Sequence, residues 1–444
     1  MPPFTHRTCL TLHPVLAAVF HDFDAAGVHW CLLRLPFDPG QPSGGDVDLL
    51  IDGAHLDVAR RLLEGLQFVP LPAWGRRSHT HFVHYDFPTA CWIWLDIAID
   101  LSFGPYHTLQ TRAEADCLAR CQRQDGAAVL APADAFWVLL LHCVLDKGVI
   151  APRHRTRLQE LRVAVSGDDP LAQVIEEVCP AGWSPRRMLE CVSRADWIAL
   201  EGLCHELTAA WMRRQSVKPY QLHIQRGLRL LGRVRNAVRY PGLSVALLGP
   251  DGAGKSTLAA GIQTAFIFPA RSVYMGLYGG YLTRLDKLRA PVLVVPGRVL
   301  ILWYRYLTAR YHQRRGRLVI FDRYTYDGLL PSRAPLNWRE RLARWVDAHA
   351  LPAPDLALIL DAPGKLMYAR KGRRKHSPEE LEGVRQHFLT LRHHRPELQL
   401  VDATRDQEMV RADVINRIWG RYAARWTGRQ SFNGRHRTVI GYRR

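Results

Sequence analysis

Short apolar runs and longer helical stretches alternate along this chain. Up to about residue 165, strand-like runs at Cys31-Leu32-Leu33, Val47 to Ile51 and Trp92 to Ile99 mix with helical segments. From about 166 to 240 the pattern is helical throughout and ends in a basic stretch with Arg226, Arg229, Arg233, Arg235 and Arg239. Pro241-Gly242 then interrupts, and an apolar strand, Leu243 to Leu248, runs directly into a glycine-rich loop. Beyond it, helical segments alternate with buried-type strands at Leu318 to Phe321 and Leu356 to Leu360. Such alternation predicts an α/β unit, a parallel sheet flanked by helices. The expected division is an α+β unit over 1–165, a helical connector over 166–240, an α/β unit over 241–425 and a basic tail over 426–444. Val292 to Leu307, apolar with Trp303 and Tyr304, reads as a core helix packed by the second sheet in preference to a lipid contact.

At 444 residues the chain is too long for one ordinary core, and 48% hydrophobic residues mark it as globular. A formal charge of +19 points to anionic partners: nucleic acid, an anionic membrane surface or phosphorylated small molecules. All nine cysteines lie between Cys9 and Cys204. The closest pair, Cys117 and Cys121, has helical spacing and no matching CxxC or histidine pair for zinc, so reduced thiols of a cytoplasmic protein are expected. The longest apolar candidate, Ala290 to Trp303, is broken by Pro291, Pro296 and Arg298, and no membrane span is expected. A peripheral contact with the inner membrane face through the basic helix 222–239, with Leu228, Leu231, Val234 and Val238 on one stripe, stays open.

Candidate chemistry sharpens this picture. Gly249-Pro250-Asp251-Gly252-Ala253-Gly254-Lys255-Ser256 follows a strand and precedes the helix-forming Thr257-Leu258-Ala259-Ala260, the context a P-loop requires. Glycines let successive N–H groups curl toward phosphate oxygens, and the helix start adds partial positive charge. Nucleotide contacts are therefore expected from Gly249, Asp251, Gly252, Ala253, Gly254, Lys255, Ser256 and Thr257. Lys255 should reach the β- and γ-phosphates of ATP, and Ser256 should hold Mg²⁺.

The strand Leu318 to Phe321 ends in Asp322-Arg323-Tyr324. A carboxylate at that tip can hold Mg²⁺ or orient an attacking oxygen, and Arg323 can clamp a phosphate with paired hydrogen bonds. A third strand ends in Asp361-Ala362-Pro363, followed by Arg370, Lys371, Arg373, Arg374 and Lys375. Two readings of that run stand: a solvated charge cluster, or a mobile lid in which Arg370 and Arg374 neutralise transition-state charge.

Together these motifs resemble the thymidylate kinase family over about residues 243–420. The likeness rests on the P-loop, Asp322-Arg323-Tyr324, Pro354-Asp355 with Leu360-Asp361-Ala362-Pro363, Arg370, Arg385-Gln386-His387-Phe388 and Leu400-Val401-Asp402-Ala403. The resemblance implies that Asp251 faces the acceptor and that Arg323 grips its phosphate. An Arg-Glu-Pro acceptor segment is absent, with Tyr274-Met275-Gly276-Leu277-Tyr278-Gly279-Gly280 in that region, and Thr325-Tyr326-Asp327-Gly328 replaces the base-recognition element. The chain looks more like the thymidylate-kinase-like proteins of bacterial surface-polysaccharide clusters.

In the first half, Asp46 and Asp48 lie two apart on one strand face, and Asp96 offers a third carboxylate from a neighbouring strand. Three converging carboxylates could hold two Mg²⁺ ions for displacement at a nucleotide phosphate, or could be solvated strand-end aspartates. The segment resembles the nucleotidyltransferase family, and His142, Lys147 and Arg153 to Arg157 suit its helical appendage. Where that family carries Gly-Ser, this chain has Leu33-Arg34-Leu35-Pro36.

The expected activity is transfer of the γ-phosphoryl of ATP to a small-molecule acceptor, most economically a nucleoside monophosphate such as dTMP, with a sugar or sugar phosphate as an option. Nucleotidyl transfer through Asp46, Asp48 and Asp96, or an ATP-bound assembly factor in surface-polysaccharide biosynthesis, are the alternatives. No nucleic-acid recognition module is visible. The oligomeric state stays open, a homodimer being compatible.

Overall fold

The computed structural model describes residues 12–34, 46–71, 78–167, 169–215, 242–276, 291–329, 338–370 and 376–434, with residues 224, 227, 231 and 335 besides. Arg374 and the other lid cations Lys371, Arg373 and Lys375 lie outside the described residues, as do Leu35, Pro36, Leu277 to Gly280, Cys9 and nearly all of 222–239. The chain forms two compact units, Met1–Arg233 and Val234–Arg444.

The first unit begins with α1 (Pro14–Ala25), whose first-turn proline and His13 cap on the Val15 N–H start the helix cleanly. There follow β1 (Trp30–Leu32), β2 (Asp46–Ile51), α2 (Leu56–Gly65), β3 (Val69–Pro70), β4 (His79–Asp86) and β5 (Cys91–Ala98). A small β6 (Ser102–Phe103) and β7 (Leu109–Gln110) ribbon, α3 (Glu114–Ala119), β8 (Gln122–Gln124) and β9 (Ala127–Val129) complete the α+β part. The sheet runs β3-β4-β5-β2-β1-β9-β8. Its β2–β5 and β1–β9 pairs are parallel and its other pairs antiparallel. Helices α4 (Pro132–Leu141), α5 (Pro152–Arg162), α6 (Pro170–Val178), α7 (Pro185–Ser193) and α8 (Trp197–Arg214) come next. A π-turn, His142–Lys147, extends α4. Leu171, Ile175, Leu203 and Trp211 of the later helices join Leu49, Ile97 and Trp137 in one core. The helices expected to act as a connector thus share the interior of the first unit as far as Arg214. The eight described cysteines are free thiols.

The second unit starts at β10 (Ser244–Leu248) and continues with α9 (Lys255–Ala265), β11 (Ala270–Tyr274) and α10 (Pro291–Arg314). Next come β12 (Leu318–Asp322), α11 (Trp338–His349), β13 (Leu356–Asp361) and α12 (Gly364–Arg370). The last elements are α13 (Pro378–His394), β14 (Leu398–Asp402) and α14 (Gln407–Gly434). All pairs in the sheet β11-β12-β10-β13-β14 are parallel. Every residue of β10 is buried, as expected of a parallel strand covered on both faces, and this explains its unbroken apolar run.

Asp355 binds the elements at the bottom of this sheet. One carboxylate oxygen accepts from Ser244 N and Oγ at 2.8 Å and from Gln313 Nε2 at 2.6 Å, while the other meets Arg425 at 2.5 Å. It joins β10, α10 and α14 to the start of β13, at the opposite end of the strands from the glycine-rich loop.

Helix α10 corrects one expectation. Leu302 and Ala309 face the core, but Leu300, Trp303, Tyr304, Leu307 and Tyr311 are exposed, so only one side is packed by the sheet.

Candidate active site

The sheet order reverses direction at β10, because the chain passes from β10 to one side (β11, β12) and then to the other (β13, β14). Crevices at the carboxyl ends of strands at such a point are where open α/β sheets bind ligands. The P-loop leaves β10 there. Gly252 has φ +89° and passes so close to the Met367 carbonyl that a Cβ would collide with it. Gly254, with φ +94°, has open space where a Cβ would stand. The positive φ favours glycine at both positions, and at Gly252 the close carbonyl excludes any side chain as well.

Lys255 opens α9 and is 6% exposed. Its Nζ donates to the Gly249 and Pro250 carbonyls at 2.8 and 2.7 Å, so the ammonium is wrapped by its own loop. Burial, reinforced by the charge of Arg323, brings its pKa down to about 8. Ser256 Oγ donates to Asp322 Oδ2 at 2.8 Å. This hydroxyl and carboxylate form an all-oxygen donor pair, the chemistry that a hard divalent ion such as Mg²⁺ selects.

Arg323 follows Asp322 at the tip of β12 and has φ +68°, unusual for a residue with a Cβ. Its guanidinium is ion-paired to Asp251 of the P-loop and to Asp327, the latter at 3.2 Å. Burial opposes the charge of Arg323, but the two carboxylates outweigh it and hold its pKa up. Burial also raises Asp327, against the pull of Arg323. Sequence reading singled out Asp251 and Arg323 but missed Asp327, which is four residues on and 7% exposed at its side chain. It missed Arg305 as well. That guanidinium sits 5.8 Å over the ring of Tyr274, and its buried Nη1 has no hydrogen-bond partner among the described residues.

The cleft has a volume of about 660 Å³ and is lined by the loop, Tyr274, Asp322 and Arg323, with Arg370, Ala403, Arg405 and Gln407 further round. Arg370 donates to the Ala403 carbonyl at 2.9 Å, tying the end of α12 to the turn after β14. Arg385 makes a two-point contact with Asp361, at 2.5 and 3.0 Å, and so steadies the end of β13.

In the first unit, register does what spacing suggested. Asp48 on β2 stands opposite Asp96 on β5, and carboxylate oxygens of Asp46, Asp48 and Asp96 lie within 4.8 Å of one another. Arg34 reaches into this group, 2.5 Å from Asp48, and His79 lies 3.0 Å from Asp96. Burial pushes Asp48 up to about 6, with Arg34 pulling it down and the other two carboxylates raising it. Burial also acts to raise Asp96, but the His79 hydrogen bond and neighbouring cations hold it below its ordinary value. His142 is paired to Asp146 at 2.8 Å. Burial first, then Arg153, His142, Arg34 and Lys147, lowers the pKa of His154, so these basic groups gather in one region. The three oxygen donors suit a divalent cation, yet the cluster already contains a guanidinium counter-charge.

No protein-family model matches the chain, and no curated protein matches it. Among solved structures it is similar to thymidylate kinase from Candida albicans, at 18% identity over 41% of this chain and 93% of that one, with a TM-score of 0.35. It is also similar to deoxyadenosine kinase from M. mycoides, solved with dCMP and dCDP, at 16% identity over 40% and 98% of the two chains, with a TM-score of 0.31. Likeness at this level assigns no activity.

Proposed function

We propose that the second unit is a P-loop phosphotransferase that moves the γ-phosphoryl group of ATP to a small phosphorylated acceptor, most economically a nucleoside monophosphate. One observation carries the reading: Arg323, in a left-handed conformation at the strand tip, is held against the P-loop by Asp251 and Asp327. A residue kept in a sparsely populated conformation costs about 1–3 kcal/mol, a cost that surrounding contacts must offset and that concentrates at functional sites. Phosphoryl transfer asks the protein mainly for positioning and charge stabilisation, which the cleft offers.

In this mechanism the P-loop N–H groups and Lys255 bind the β- and γ-phosphates. Ser256 and Asp322 would hold Mg²⁺, which when bound neutralises charge on the phosphate oxygens. Arg323 orients the acceptor by its phosphate, releasing Asp251 to face the acceptor. The acceptor oxygen attacks the γ-phosphorus in line and ADP leaves, while Arg370, which lines the same cleft, offers a further cation to the transferring charge. A sugar phosphate as acceptor would use the same groups, whereas a free sugar would leave Arg323 without an acceptor phosphate to hold.

The test is ADP formation against a panel of dTMP, other nucleoside monophosphates, sugars and sugar phosphates. One acceptor should accelerate ADP release, and Lys255→Ala should lower that rate about a thousandfold. Equal turnover by the Lys255→Ala protein would sink the reading.

The convergence of Asp46, Asp48 and Asp96 favours a second reading for the first unit, nucleotidyl transfer with pyrophosphate as product. Pyrophosphate release lost in Asp48→Ala and kept in Lys255→Ala would support it.

A further inference from the structure

Helix α10 carries a surface that the cleft chemistry does not use. Leu300, Trp303, Tyr304, Leu307 and Tyr311 are exposed by 71%, 40%, 73%, 58% and 54%. Their spacing of three and four residues puts them on one side of the helix, opposite the buried Leu302 and Ala309. Helix α11 packs against α10 and leaves Leu342 and Trp345 exposed as well. Isolated exposed apolar residues need no explanation, but a continuous stripe with aromatic residues does.

The charge around the stripe identifies its partner. From Pro291 to Arg317 the chain contains six arginines and no aspartate or glutamate; Arg305 lies away from the stripe, over Tyr274, and the cations at the stripe's end are Arg314 and Arg315. Arg314 and Arg315 are exposed at the C-terminal end of the stripe, where Arg315 donates to the Tyr311 hydroxyl at 2.6 Å and lies over its ring at 5.5 Å. A second copy of α10 would bring Arg314 and Arg315 to the same arginines with no counter-charge from that helix. An anionic phospholipid leaflet supplies both what the stripe needs and what the arginines need. Tryptophan and tyrosine settle at the headgroup level, leucine reaches the acyl boundary, and arginine meets lipid phosphate. No helix among the described residues is long and apolar enough to cross a membrane, so the contact is one of lying on the surface.

We propose that the exposed Leu300–Tyr311 face of α10, with Arg314 and Arg315 at its end, docks the protein on an anionic phospholipid surface. Its residues are not those of the basic stretch 222–239, and it stands independently of the reaction in the cleft.

The test uses the full chain with vesicles of phosphatidylcholine alone and of phosphatidylcholine mixed with phosphatidylglycerol. Co-sedimentation is expected with the anionic vesicles only and should weaken as salt rises. A Leu300→Ser/Tyr304→Ser/Leu307→Ser variant should partition at least about tenfold less, since it removes three apolar anchors. Arg314→Ser and Arg315→Ser should each cost roughly fivefold. None of these side chains lines the cleft or the core, so an unchanged thermal melt and circular dichroism spectrum report an intact fold. Equal binding by the triple variant, or no preference for anionic over neutral vesicles, overturns the proposal. So does a wild-type dimer that becomes monomeric in the triple variant while neither binds vesicles, because the face would then belong to a self-pair.

Discussion

The cleft of the second unit and the carboxylate cluster of the first are both dense in charge, yet they assemble it by different means. In the cleft, a continuous run from Gly249 to Ser256 builds the floor, and a buried ammonium is wrapped by carbonyls of that same run. In the cluster, nothing is contiguous. Asp48 and Asp96 meet only because β2 and β5 pair in parallel with those two residues in register, and Arg34 enters from the end of another strand. The cleft therefore brings Lys255, Arg323, Arg370 and Arg405 to one lining, whereas the cluster gathers anions around a cation from its own chain. Basic residues adjoin both, so net charge alone does not separate them.

Removing the cation that joins loop and strand should break this contrast most directly. Arg323→Ala should lower kcat/KM for the acceptor about a hundredfold, with most of the loss in KM if the guanidinium grips ground-state phosphate and in kcat if it acts only in the transition state. ATP binding, measured separately, should change much less. An Arg323→Ala protein with normal acceptor kinetics would remove Arg323 from the site and leave its backbone conformation without a functional cause.

The same contrast explains what could be read from sequence. The P-loop was legible because glycines at 252 and 254, a lysine and a strand-to-helix context report a local backbone shape. Asp322 and Arg323 were legible because they end a strand of apolar residues. Asp327 and Arg305 were not, because only folding brings them to Arg323 and Tyr274. Asp355 was visible as part of a family-like motif, but its chemistry is structural: it holds the N-terminal ends of β10 and β13. Helix α10 misled for a plain reason. An apolar helix with aromatic residues has the same composition whether both of its sides are covered or one is left bare. In the first unit the Asp46 and Asp48 spacing gave the shared strand face, but a partner for Asp48 at Arg34 has no signature in spacing.

A smaller effect would sharpen the cluster's side of the comparison. The Asp48 carboxyl is raised from 3.8 to about 6 chiefly by burial, so the native state holds this proton more tightly than the unfolded chain does. Stability from this group is therefore gained as pH falls through about 6 toward the unfolded value, and charged Asp48 is a cost at neutral pH. Asp48→Asn should stabilise the first unit at pH 7 by up to about 3 kcal/mol, and the difference from wild type should nearly vanish by pH 4. Thermal melts of the two proteins across that range measure it. A destabilised variant at pH 7 would mean that the ion pair with Arg34 outweighs the burial of Asp48.

The smallest effect concerns the proton on Lys255, and it probes the wrapped ammonium directly. Burial and the neighbouring Arg323 bring this group from 10.5 to about 8, so above that pH the nucleotide-free amine is mostly neutral. Phosphate oxygens favour the ammonium form, because an opposite charge at close range raises the pKa of a cation. ATP binding at a pH above about 8 should therefore take up a fraction of a proton, and ATP affinity should fall as pH rises through this range. Titration calorimetry in buffers of different ionisation enthalpy reads the uptake. Lys255→Arg should abolish it, since a guanidinium does not titrate there. Among the described residues the carboxylate cluster holds no such amine, so Asp48→Asn should leave the uptake untouched. Uptake that persists in Lys255→Arg would place the titrating group elsewhere and break the link between the buried ammonium and the nucleotide.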